Sequence, residues 1–438
     1  MKSYDTYKES GIEWVGEIPS HWEEKRMRFL GYLYGGLSGK SANDFNQLSN
    51  SENKSFIPFT NIANNLKIDV DNLQTVVISE NESQNKVQKG DLFFLMSSEN
   101  YEDVGKSAVL TSDLEETYLN SFCKGFRISD ENIVPEFLNY QLFSKPLRHN
   151  LLTGANGFTR INLKIDKVND LRVTLPPQEE QTAIAFYLDR KTDEIDALIA
   201  DKKRLLELYE EEKITIINQA VTKGIDPKVK MKDSGIEWLG QIPEHWEVKR
   251  MKNICTVRQG LQISIEKRFL SKVDNSFEYI TIRSINNPDQ AKEYIEKPSP
   301  NVICNKDDIL MARTGATGEP ITGVEGVFHN NFFLIDFNRE LVDKMFLFYF
   351  LKSGRIKEYL LLMAGTTTIP DLNHGAFYNT PFFQYSLEEQ QSIVYHIETE
   401  CTRIDAKIAK TQKLIELLTE YRTALISEVV TGKIKVID

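Results

Sequence analysis

The residue types able to do chemistry are few in this chain, and they are poorly grouped. His21 and His245 each precede a tryptophan in an Ile-Pro-x-His-Trp segment. An imidazole working as a catalytic base needs an orienting carboxylate, and a nucleophile within hydrogen-bond reach. No carboxylate or cysteine partner is read for either histidine, so both, with Trp22 and Trp246, are read as packing elements. Cys123, Cys255, Cys304 and Cys401 are scattered, with no CxxC pair and no paired histidines nearby. Zinc and a disulfide framework are therefore disfavoured, and reduced cytoplasmic thiols are expected. No GxxxxGK[ST] loop is present, which removes an ATP-driven motor from consideration. No GxGxxG follows a strand; Gly315 and Gly318 belong to a shorter loop.

The stronger candidates are loops that bind without reacting. Residues 153–160 (TGANGFTR), 313–318 (RTGATG) and 364–368 (AGTTT) combine small residues with hydroxyl, amide and guanidinium groups. Glycine lets a backbone approach a phosphate closely, arginine reads guanine through two hydrogen bonds, and asparagine reads adenine in the same way. The segment Asn379-Thr380-Pro381-Phe382 is similar to the Asn-Pro-Pro-Phe element with which adenine methyltransferases hold a flipped base. Its place in the chain matches the strand end Leu175-Pro176-Pro177, however, and it is read as structural. Pro288-Asp289 followed by Glu-x-Lys has the wrong spacing for a metal-dependent nuclease.

Charge is a weak guide here. The net charge is −11 and the hydrophobic fraction 41%, as in a soluble globular protein. Residues 26–175 hold 16 basic and 18 acidic side chains, and residues 249–385 hold 17 and 15. The acidity thus lies mainly in the linking and helical segments, and local basic strips remain compatible with a phosphate backbone. The longest apolar stretch, 345–351, is too short to cross a bilayer. No export signal is expected.

What must position the loops is written twice. GIEWVGEIPSHWEEKRMRFL at 11–30 returns as GIEWLGQIPEHWEVKRMKNI at 235–254, always 224 positions on. In LPPQEEQTAIAFYLDRKTDEIDALI from Leu175, the part from Pro176 returns from Tyr385 with an offset of 209, so Glu179-Glu180-Gln181 matches Glu388-Glu389-Gln390. The second copy is therefore shorter in its middle, and each half is a fixed frame around a divergent centre. In the first helical copy Ile184, Leu188, Ile195, Leu198, Leu205 and Tyr209 fall on a series of steps of three and four in which Lys191 and Lys202 are polar members. Ile393, Ile397, Ile404, Leu414, Leu418 and Tyr421 fall on such a series in the second. Heptads sustained this far predict two rods of about 40 residues, roughly 60 Å each, paired antiparallel about a pseudo-twofold axis. The divergent centres read as small α+β globules, with strands at 91–96 and 308–312 and closing helices at 134–151 and 342–363. The expected fold is thus α+β: two globular domains separated by an antiparallel coiled coil. The expected boundaries are 1–177, 178–224, 225–386 and 387–438.

On the duplicated SGIEWxGxIPxHWE-x-KRM segment, the GDLFF and DDILMARTGATG elements and the LPPQEEQ…IDALI helix, the chain resembles the specificity subunits of Type I restriction–modification systems. The resemblance covers essentially the whole chain. It implies a non-catalytic subunit in which each globule is a target-recognition domain for one half of a bipartite site on double-stranded DNA. The helices would set the spacer and carry two methyltransferase subunits, which bring S-adenosylmethionine. Motor-nuclease subunits using ATP and magnesium would join them. No cofactor, metal or membrane is expected for this chain itself. Met96-Ser97-Ser98-Glu99-Asn100 stands where the second half has Ala312-Arg313-Thr314-Gly315-Ala316, so the Arg-Thr-Gly loop is carried over only to the second half. The candidate DNA contacts are Lys106, Asn156, Thr159 and Arg160 in the first half. In the second they are Arg313, Thr314, Thr366, Thr367 and Thr368. Two other readings compete: a coiled-coil protein-binding adaptor, favoured by the acidic charge, and an enzyme with degenerate methyltransferase or nuclease motifs.

Overall fold

The computed structural model describes residues 2–47, 50–157, 160–287, 289–365 and 370–437. Two compact units emerge, one of residues 1–202 with 413–438 and the other of residues 203–412. The two expected long helices are Gln178–Lys223 and Leu387–Val430, 46 and 44 residues. At 1.5 Å per residue they extend about 65–70 Å. Each contributes one stretch to the first unit and another to the second.

The first unit is built on a strand buried on both faces. Leu92–Leu95 carries no polar side chain and is wholly covered, the signature of a central strand. It pairs antiparallel with Cys123–Ile128 and Ser107–Val109, and Gly31–Gly35 completes the sheet beyond Cys123–Ile128. Gly125 leaves room for the Tyr34 ring, whose Cζ would lie 2.1 Å from an added Cβ. The Tyr34 hydroxyl thereby reaches Asp91 at 2.6 Å, and Arg127 grips the same carboxylate with two nitrogens. A second sheet orders Tyr118–Leu119, Asn53–Ile57 and Gln74–Val77. Arg172–Leu175 pairs with Glu23–Arg26 and feeds directly into the long helix.

The second unit repeats the plan. Ile309–Ala312, also wholly buried, lies between Phe332–Phe337 and Pro320–Thr322, with Cys255–Gln259 at the edge. Pro381–Gln384 pairs with Glu247–Arg250, which places Pro381-Phe382 inside a structural strand. In each unit one apolar core runs unbroken from globule to long helices. The first joins Trp22, Phe137, Leu188 and Ile426; the second joins Trp246, Phe346, Ile217 and Ile393.

The closing helices differ from expectation, because each is two helices. Pro135–Phe143 and Lys145–Leu152 meet at Ser144, and Lys344–Lys352 and Gly354–Ala364 meet at Ser353. Both serines are extended and buried, and each donates its hydroxyl to a carbonyl three residues back. The first backbone N–H of the next helix is then capped from a long helix. Lys145 donates to Ser427 Oγ at 3.1 Å, and Gly354 to Asn218 Oδ1 at 2.7 Å. A helix end needs such an acceptor, and this one fixes each globule to its rod.

The helix pairing is antiparallel within each unit. Asp196 meets Arg422 at 2.9 Å in the first, and Lys213 meets Asp405 at 2.7 Å in the second, the same pair by repeat position. Ile184, Leu188, Ile195, Ile393, Ile397 and Ile404 are buried, and Leu205, Tyr209 and Leu418 are half-buried. Leu198, Leu414 and Tyr421 are 47%, 41% and 49% exposed. A strict heptad drifts against a 3.6-residue helix, and at Leu198 the neighbouring Ile199 turns inward instead. Gly224 and Gly432 end the two helices with φ of 75° and 73°. A Cβ on Gly432 would sit 2.3 Å from Pro19 Cδ, so this stop needs glycine for both conformation and space.

Candidate nucleic-acid interface

The duplicated motifs turn out to be the joints that hold the candidate loops in place. Glu180 is 6% exposed and accepts from Tyr4 Oη at 2.5 Å and Trp22 Nε1 at 3.1 Å, with His21 Nε2 at 2.8 Å. Glu389 repeats this with Trp246 Nε1 at 3.0 Å and His245 Nε2 at 2.8 Å. The histidines therefore do have carboxylate partners, contrary to the sequence reading, but the carboxylates arrive from 159 and 144 residues downstream. Among the described residues no serine, threonine or cysteine side chain hydrogen-bonds either histidine. Burial and the Glu180 carboxylate push the Tyr4 phenol far above its ordinary range, so it acts only as a fixed donor. Gln181 is the second half of the joint. It accepts from the Val134 N–H and donates to the Asn132 and Pro176 carbonyls. Gln390 does the same with Asp343, Leu341 and Tyr385. Glu-Glu-Gln thus ties the lead-in segment, the globule and the rod together at one turn of helix.

On this frame the loops after the central strands can be matched by their backbone bonds. Leu163 N–H donates to Met96 O at 2.8 Å, and Leu372 N–H to Arg313 O at 3.0 Å; Gly105 and Gly318 bond back to Leu95 and Ala312. Met96 therefore corresponds to Arg313, one position from the register expected, and the first loop (96–104) is longer than the second (313–317). By the same bonds Lys106 corresponds to Glu319.

The expected contacts are placed as follows. Lys106 Nζ is 2.6 Å from Asp103 and 2.9 Å from the Ala63 carbonyl, while Glu319 pairs with Lys357 at 2.5 Å. Arg160 is exposed and lies over the exposed Phe122 ring at 4.3 Å. Asn156 is described by its backbone alone, in the short strand Ala155–Asn156 beside Ile161–Leu163. Arg313 holds Asp371 in a two-nitrogen fork at 2.5 and 2.8 Å. That guanidinium keeps the Asp371 carboxyl below the usual carboxylate range. Thr314 is half-buried, with its N–H on the Asn331 carbonyl at 3.4 Å. Thr159, Thr366, Thr367 and Thr368 lie outside the described residues. The fold brings Arg313 and Thr314 beside Asn331, and at the matching position of the first unit it brings Arg160 to Phe122.

Sequence reasoning missed a groove in the second unit. Arg283, Ser284, Asn286, Asn287, Gln290 and Asn331 line it, together with Ile265 and Leu270. The signal was present in the Ser-Ile-Asn-Asn run at 284–287 and in the Lys-Arg-Phe-Leu run at 267–270. Neither contains glycine or threonine, and it was through those residues that the loops were sought. Among the described residues no group of three or more His, Cys, Asp or Glu is arranged to hold a metal ion. No described helix is long and apolar enough to cross a membrane.

Comparison with known proteins agrees with this architecture. Residues 19–208 and 243–419 match the family described as Type I restriction modification DNA specificity domain, one match per repeat. The Type I restriction enzyme MjaVIII specificity subunit of Methanocaldococcus jannaschii is 24% identical over 373 residues, 80% of each chain. The putative MjaX specificity subunit of the same organism is 24% identical over 440 residues, 98% of each. Among solved structures, one from work on assembly and conformational transition of the Type I system has a TM-score of 0.73, at 14% identity, covering 95% of this chain and 99% of its own. The HsdS subunit from Thermoanaerobacter tengcongensis has a TM-score of 0.57, at 14% identity, covering 95% and 98%. With both repeats matched across most of its length, the chain belongs to the Type I restriction–modification DNA specificity family.

Proposed function

We propose that each globule reads one half of a bipartite site on double-stranded DNA, and that the long helices set the interval and carry two methyltransferase subunits. The observation that carries this reading is the repeat itself. The joints at Glu180-Gln181 and Glu389-Gln390 share their Trp, His and backbone bonds, while the loops they present differ in length and chemistry. A constant frame with divergent loops suits two different half-sites better than an adaptor for one protein ligand. The subunit contributes recognition, and the chemistry belongs to its partners: adenine N6 methylation with S-adenosylmethionine, and ATP- and magnesium-dependent cleavage where a motor-nuclease joins. The relatives are named as subunits of Type I restriction enzymes, which supports this division of labour. The test is selection of duplexes from a random library by the full chain. Enrichment of a split sequence with a fixed gap is the expected result, with affinity falling steeply as salt rises. Salt-insensitive binding, or enrichment of one continuous sequence, would overturn the reading.

A further inference from the structure

The groove of the second unit sets amide and guanidinium groups beside aliphatic side chains. Its amides and guanidinium are exposed: Arg283, Asn286, Asn287 and Gln290 all face solvent. Among the described residues Arg283 has no carboxylate partner. At its edge stand two aliphatic side chains, Ile265 at 72% and Leu270 at 78% exposure. Covering these side chains with an apolar group of a ligand would be favourable.

The segment that carries them is anchored on both sides of Arg268 and Phe269. Arg268, between them in sequence, donates to Glu293 at 2.9 Å and to the Ile263 carbonyl at 2.8 Å, and lies over the Tyr279 ring. Phe269 and Tyr294 exchange backbone hydrogen bonds at 2.9 and 2.8 Å. The equivalent segment of the first unit has the same short turn and the same backbone bond, Asn46 N–H to Thr75 O at 2.8 Å. There the positions of Ile265, Leu270 and Arg283 are taken by Ala42, Gln47 and Thr60. The frame is constant, and the apolar pair belongs to the second unit alone.

We propose that this groove reads an A·T pair in the major groove of the second half-site, with Ile265 and Leu270 against the thymine methyl and the groove amides on the adenine edge. In the major groove, thymine presents the methyl group, and adenine presents the donor–acceptor pair that Asn or Gln matches. Amide and aliphatic groups side by side fit that pair and fit a G·C pair poorly. Arg283 supplies the phosphate or base-edge cation beside them. The inference rests on the DNA-recognition reading.

The test replaces thymine by uracil, which removes only the 5-methyl group. Duplexes selected by the full chain are remade with dU at each thymine in turn, and binding is compared for the unmodified chain, Leu270→Gln and Ile265→Ala. The expected result is a thymine in one half-site where dU weakens the unmodified chain about fourfold, with that sensitivity lost in one or both variants and the other half-site unaffected. A split site with no dU-sensitive thymine overturns this inference and leaves the DNA reading standing, as does a dU effect undiminished in both variants. Failure to select any split sequence overturns both. The dU comparison on the unmodified chain is independent of how the variants fold.

Discussion

Replacing Glu180 by alanine removes an acceptor that serves three donors from the lead-in segment. Two of those donors have nowhere else to go: Trp22 is fully buried and Tyr4 is 7% exposed. A buried donor left without a partner costs about 1–3 kcal/mol. The joint loss at Glu180→Ala is therefore about 2–5 kcal/mol, since His21 is half in solvent and rehydrates. Glu389→Ala is the internal control. Glu389 is more exposed and accepts from Trp246 and the exposed His245, with no tyrosine in Tyr4's place. One stranded donor predicts about 1–2 kcal/mol. Native-state amide exchange on peptides containing Trp22 and Trp246 reads each joint separately. The expected outcome is a larger loss of protection at Trp22 in Glu180→Ala than at Trp246 in Glu389→Ala. Equal losses, or a larger one at Trp246, would refute the assignment of Tyr4 as a third, buried donor.

Three other predictions follow from the same geometry. Asp371→Asn should free the Arg313 fork and raise affinity for DNA of any sequence, while Arg313→Ala should cost about 1–3 kcal/mol and relax one position of the site, both read by titration on selected and scrambled duplexes. The pair also has a pH signature: the Asp371 pKa is depressed in the folded chain, so its stabilising contribution is present above the free aspartate range near pH 4 and is lost as pH falls through the lower folded value. Leu188→Ala, at a fully buried seam position, should cost about 2–5 kcal/mol in urea unfolding, while Leu198→Ala, at 47% exposure, should stay under about 1 kcal/mol.

The fold was largely legible because its signals are local or repeated. The heptads needed only spacing, and the all-apolar runs at Leu92–Leu95 and Ile309–Ala312 marked the two central strands. Glu-Glu-Gln was visible as a repeat, yet its role was not, because Glu180 and Glu389 find their partners more than a hundred residues away, and Gln181 and Gln390 find theirs mostly nearly fifty away. Separation in sequence also hid Asp371 from Arg313, 58 residues earlier. The breaks at Ser144 and Ser353 were missed because the flanking sequence keeps helical periodicity; the acceptors that favour the break, Ser427 and Asn218, come from the rods. The one-position slip between the Met96 and Arg313 loops arose where loop lengths differ and only backbone bonds fix the register. Composition pointed to loops rich in glycine and threonine, whereas the groove displays amides and aliphatic side chains from segments that looked ordinary.

The most direct test of the central claim is a methylome. The chain would be co-expressed with a Type I methyltransferase subunit, in a host without other adenine methylation, and compared with a chimaera in which residues 26–175 come from a relative. The account predicts N6-methyladenine in an asymmetric split motif with a fixed gap, and a chimaera that changes one half of the motif and leaves the other intact. A stable complex that methylates no defined sequence, or a chimaera in which both halves change together, would contradict it.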